Sequence, residues 1–128
     1  MATPDRADYR PPAFGPPYRV LLLAAAGPGW YEAPDAATRE LVLARLAEWW
    51  RSWEDAGATL LTTFDDDYFV VGQPSTLGWS LFAVYDVPRL ELVAEQLHGL
   101  RADVGGVRLD SAFRMEARVG RGIFFLEK

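Results

Sequence analysis

The sequence predicts a single α+β domain with the element order β-α-β-β-α-β. Three observations predict it: a long amphipathic stretch capped at both ends, a continuous apolar run before it, and a two-residue alternation of charge near the end of the chain. At 128 residues, half of them hydrophobic, the chain has material for one core and one domain.

Residues 1–17 carry Pro4, Pro11, Pro12, Pro16 and Pro17, which forbids helix and predicts an extended arm. The domain is expected over residues 18–119. Tyr18 to Ala25 reads as the first strand, its unbroken apolar run implying burial on both faces. Gly27-Pro28-Gly29 ends it and leaves Trp30 and Tyr31 in a loop.

Asp35 to Gly57 is the long helix. Val42, Leu46, Trp49 and Trp53 recur every three or four residues and share one stripe, with Leu43 and Trp50 widening it. Asp35 can accept from the free N–H groups of the first turn, and Gly57 fits the left-handed residue that closes a helix. The three indoles are core and dimer-interface packing, or else the wall of a cavity for a flat ligand.

Ala58 to Phe64 is the second strand. Asp65-Asp66-Asp67 interrupts it, and Tyr68 to Val71 either continues it past a bulge or forms a separate piece. A loop over Gly72–Gly78 leads to a third strand, Trp79 to Tyr85. Asp86 then stands as the next N-cap with Pro88 in the first turn, ahead of a helix striped by Leu90, Val93, Ala94 and Leu97 and ended by Gly99. Arg108 to Val119 alternates as a fourth strand, with Leu109, Ser111, Phe113, Met115, Ala117 and Val119 on one face and Arg114, Glu116 and Arg118 on the other. Residues 120–128 form a tail in which Ile123 to Leu126 is apolar and expected to be buried, on a partner subunit if not on its own.

This order is the ferredoxin-like arrangement, with a four-stranded antiparallel sheet. Two helices shelter one face only, and the other face is too apolar to stand in water. A second copy of the chain is the simplest cover. In length, strand order, aromatic first helix and charged last strand, residues 18–119 resemble the dimeric α+β barrel superfamily. That resemblance implies two ferredoxin-like sheets closed into a barrel with the helices outside, as in small cofactor-independent monooxygenases, isomerases and cyclases and in some haem enzymes. Asp66-Asp67-Tyr68-Phe69-Val70-Val71-Gly72 and Phe113-Arg114-Met115-Glu116-Ala117-Arg118-Val119-Gly120-Arg121 are more loosely similar to small accessory proteins of aromatic-acid catabolism, a likeness that brings no catalytic residues with it.

The totals exclude several functions. A net charge of −5 and the absence of any basic run argue against nucleic acid. With no cysteine there is no disulfide, thiolate metal site or cysteine nucleophile. Val20 to Ala26 is too short to span a bilayer, and Asp5, Arg6 and Asp8 stand where a signal peptide needs apolar residues, so a cytoplasmic protein is expected. No phosphate loop, dinucleotide fingerprint or nucleophile elbow is present, and neither Ser75 nor Thr76 lies in such a pattern.

His98, the single histidine, is either a proton carrier or a cation seated at a helix C-terminus, and it is also the one possible axial ligand for a haem. The aspartate cluster is a solvated turn, or a carboxylate group in which Asp66 works beside Tyr68. Arg114, Glu116 and Arg118 form an ion-pair network, or Arg114 binds a substrate carboxylate. The reading these residues favour is a homodimeric enzyme without cofactor or metal, acting on a hydrophobic aromatic or polyketide-like acid. His98, Tyr68 and Asp66 would move protons, while Trp49, Trp53, Trp79, Arg114 and Glu116 would form the pocket. The alternatives are a non-catalytic ligand-binding or accessory protein, and a haem protein using His98.

Overall fold

A computed structural model of the chain describes residues 15–73, 78–123 and 125–126. Most of the proline arm (residues 1–14), Ser75 and Thr76 lie outside the described residues. The elements are β1 (Tyr18–Ala26), α1 (Pro28–Tyr31), α2 (Ala36–Asp55), β2 (Thr59–Asp65), β3 (Leu81–Val87), α3 (Leu90–His98), a 3-10 turn (Gly99–Arg101), α4 (Leu109–Ala112) and β4 (Phe113–Gly120). The four strands make one antiparallel sheet in the order β2-β3-β1-β4, which agrees with the ferredoxin-like pattern.

The register sorts the side chains of the sheet. Val20 lies between Tyr85 and Val119, and Leu22 between Ala83 and Ala117. These residues face the helices, and Val20, Leu22, Ala83 and Tyr85 are buried in the core. One residue along, Leu21 lies between Val84 and Arg118, and Leu23 between Phe82 and Glu116. Strand alternation puts this second set on the helix-free face. There Leu23 and Ala25 are buried, while Leu21, Phe82 and Val84 are half-buried.

α2 forms as its pattern predicts. Asp35 caps it by accepting from the Thr38 N–H at 2.8 Å and the Thr38 hydroxyl at 2.7 Å. Gly57, at φ +113°, turns the chain into β2. Val42, Leu46, Trp49 and Trp53 are its buried residues. Trp53 stacks flat on Tyr85, with centroids 4.8 Å apart, and meets Trp49 edge to face at 5.7 Å. The Tyr85 hydroxyl donates to the Trp50 carbonyl at 3.0 Å. Trp49 Nε1 donates to the Gln96 carbonyl at 2.8 Å, and Gln96 Nε2 donates to Ser52 Oγ at 2.8 Å, which ties α2 to α3.

Several boundaries differ from the sequence reading, each for a physical reason. Asp86 is no N-cap. It sits opposite Arg19 in the ladder and accepts from Arg19 Nε at 2.7 Å, so β3 runs on to Val87 and α3 starts after an extended Arg89. The expected fourth strand begins late, at Phe113. Leu109 and Ala112 are buried three residues apart, a helical spacing that the two-residue alternation masked. α4 also packs closely on α1, where a Cβ at Gly29 would fall 2.6 Å from the Ser111 carbonyl oxygen. Trp30 lies within α1 and not in a loop, tilted on Phe113 at 5.8 Å. Beyond β2, Asp65 accepts from the Asp67 N–H at 3.3 Å, so the acidic cluster is a turn, and Tyr68–Val71 joins no strand. Ile123, Phe125 and Leu126 are exposed, so these described residues of the tail are not buried by their own chain.

Trp53→Ala is expected to cost about 3–5 kcal/mol, and Tyr85→Phe about 1 kcal/mol through the lost hydrogen bond, both read from urea unfolding. Burial, and then the Glu54 carboxylate, push the Tyr85 phenol above its ordinary pKa of 10.0. The folded state therefore holds its proton where the unfolded state releases it, and this contribution is complete below pH 10 and lost above it. Tyr85 should accordingly steepen the alkaline loss of stability by up to about 1.4 kcal/mol per pH unit, and Tyr85→Phe should remove that component.

Candidate functional site

A wide cleft lies beside α2. It measures about 630 Å³ and runs between the Leu43–Arg51 ridge of α2 and the paired ends of β2 and β3. β2 is the edge strand, and all seven of its residues are exposed, so α2 and the sheet part there like the covers of a book. Leu43, Leu46, Ala47 and Trp50 form one wall, and Thr63, Phe64, Asp65, Leu81 and Phe82 form the other. Phe64 and Phe82 sit opposite each other in the ladder and stack at 4.9 Å; the register turns their rings to the helix-free face, so they border the cleft at the sheet edge while Thr63, Asp65 and Leu81 face α2. Arg51 completes the lining. The Nε1 atoms of Trp50 and Trp53 are buried with no acceptor among the described residues.

The residues singled out from sequence fall in several places. Trp49 and Trp53 are core residues and do not line this cleft. Trp79 is half-buried under the Arg114 guanidinium, which stands 4.5 Å from the ring centroid. Arg114 also donates through NH2 to the Gly78 carbonyl, so its charge is engaged by the segment that leads into β3. Glu116 accepts from Arg118 Nε at 2.5 Å. Tyr68 is 98% exposed, and Asp66 is half-buried with its N–H donating to the Ser80 carbonyl at 3.2 Å. His98 is exposed at the end of α3, on the rim of a depression of about 450 Å³ shared with Leu97, Arg101, Asp110, Arg114 and Met115.

His98 and Arg114 thus border one depression, and Arg114 meets Trp79. The three proton-transfer candidates do not converge. His98 sits beside β4 while Asp66 and Tyr68 follow β2, and three inter-strand spacings of about 4.8 Å separate those edges. The haem reading rests on His98 alone. Among the described residues no three His, Asp or Glu side chains gather as a metal site, and no helix is long and apolar enough to cross a membrane.

Sequence reasoning missed Trp50, Arg51, Phe64 and Phe82 as lining residues. Trp50 was legible as the flank of the α2 stripe. The Phe64–Phe82 pair depends on cross-strand register, which periodicity does not carry. No protein-family model and no curated protein matches the sequence.

Charge, ring and carbonyl act together where Arg114 holds the approach to β3. A double-mutant cycle with Arg114→Met and Trp79→Leu should show coupling of about 0.5–1 kcal/mol in urea unfolding. Strict additivity of the two losses would mean the guanidinium and indole do not interact in solution.

Proposed function

We propose that this protein is a homodimeric ligand-binding module that takes a flat, hydrophobic small molecule into the cleft between α2 and the β2–β3 edge. The observation that carries the reading is the cleft itself, roomy enough for one small molecule and walled by Leu43, Leu46 and Trp50 of α2 against Thr63 and Leu81 of the sheet. Binding is favoured over catalysis because Asp66 and Tyr68 lie across the sheet from His98, so these three proton-transfer candidates share no common space, and none of them lines the cleft. An accessory or carrier role fits that arrangement better than an oxygenase, isomerase, cyclase or lyase.

The dimer belongs to the same reading. Leu21, Leu23, Phe82 and Val84 form a continuous apolar strip on the helix-free face, and Phe64 extends it outward. Pairing two such faces would generate the dimeric α+β barrel plan and leave the helices outside. The α2 side of each cleft would stay open to solvent.

Titration with a naphthalene-ring ligand should quench indole emission, because Trp50 lines the cleft, and Trp50→Phe should abolish most of that response. An unchanged response in Trp50→Phe would place the ligand elsewhere. Sedimentation at micromolar concentration should give twice the mass of one chain, and Val84→Glu should shift it to the single-chain mass with the far-ultraviolet spectrum retained. A wild-type protein that sediments only as a monomer ends the dimer reading.

A further inference from the structure

The cleft carries charge in a pattern that its apolar walls do not require. Arg51 lines it, is exposed, and is held by no carboxylate, carbonyl or ring among the described residues. Every other described arginine has such a neighbour. A guanidinium left free on a chain of net charge −5, next to Glu48, Glu54 and Asp55 in sequence, is not there for want of local acids. Asp65 lines the same cleft, with Oδ1 taking the Asp67 N–H and Oδ2 given no donor among the described residues.

These two groups mark opposite ends of the space. α2 runs into β2 through the turn at Gly57, so β2 returns antiparallel to the helix. Arg51 lies four residues before the end of α2, close to that turn, whereas Asp65 is the last residue of β2, far from it. Rises of about 1.5 Å per helical residue and about 3.3 Å per strand residue separate their Cα positions by roughly 14 Å along the cleft, a gap that the two side chains shorten from either end. Trp50, Leu46, Leu43 and Leu81 line the interval.

Resting on the ligand-binding reading above, we propose that the occupant is a rigid aromatic molecule with two polar ends: a carboxylate bound by the Arg51 guanidinium and a hydroxyl or other hydrogen-bond donor bound by the Asp65 carboxylate. The guanidinium fork matches a carboxylate in two-pronged geometry. Asp65 opposes a second anion at the far end and so fixes the direction in which the ligand enters. A ring system about two rings long spans the distance, whereas a flexible fatty acid would leave the carboxylate of Asp65 facing methylene groups.

The test uses three probes that share one ring system, measured by calorimetry on the full chain: 6-hydroxy-2-naphthoate, 2-naphthoate and 2-naphthol. The hydroxynaphthoate should bind about tenfold more tightly than either single-ended probe, as expected for one charge-assisted hydrogen bond at each end. Arg51→Gln should weaken both carboxylates about tenfold and leave 2-naphthol unchanged, while Asp65→Ala should erase the advantage of the hydroxynaphthoate over 2-naphthoate. Both side chains are exposed, so circular dichroism should show the variants folded. Equal affinity for all three probes, unmoved by either substitution, overturns the two-ended ligand and leaves hydrophobic binding intact. Absence of binding by every probe to the wild-type protein overturns both.

Discussion

The flat stack of Trp53 on Tyr85 is the contact on which the rest of the molecule depends. It joins the last turn of α2 to a central strand of the sheet, and both rings are fully buried. The Tyr85 hydroxyl reaches past the stack to the Trp50 carbonyl, so the strand grips the helix by a ring and by a hydrogen bond within one turn. An aromatic contact of this size resists both sliding and rotation of α2 across the sheet. The position of α2 then decides everything along its flanks.

On one flank the helix is tied down: Trp49 and Ser52 engage Gln96 of α3, and the space between the two helices closes. On the other flank no hydrogen bond among the described residues ties it to β2, the edge strand of the sheet. The cleft is the direct outcome of that asymmetry. Trp50 sits one residue past Trp49 and therefore turns about 100° around the helix, away from α3 and toward the open side. Neighbouring indoles in the chain thus serve different ends, one as a bolt between helices and one as a wall.

Much of the fold was legible from residue pattern alone. The α2 stripe, its Asp35 cap and Gly57 closure all appear in the structure, as do the antiparallel four-stranded sheet and the two-faced burial of β1. What escaped depended on contacts distant in sequence. Asp86 has the chemistry of an N-cap, but Arg19 lies across the ladder from it and recruits it into the strand. Leu109 to Phe113 satisfies two periods at once, and packing of α4 against Gly29 selects the helical one. The candidate site was legible only as a neighbourhood. The space beside α2 does hold a wide cleft, yet its sheet-edge border includes Phe64 and Phe82, eighteen residues apart in sequence and paired only by the register of β2 on β3. The charged candidates were read as one potential constellation, and the sheet distributes them to its two margins.

Those two margins are not alike. β4 presents Arg114, Glu116 and Arg118 along its length, a row of charge that discourages another strand from pairing there. β2, Thr-Leu-Leu-Thr-Thr-Phe-Asp, has no lysine, arginine or proline, and its only charge comes at the last residue. One bulge near Leu61 interrupts its outline. The fold therefore has a guarded side and an unguarded one, and growth of the sheet by strand addition between molecules has a single direction in which to begin.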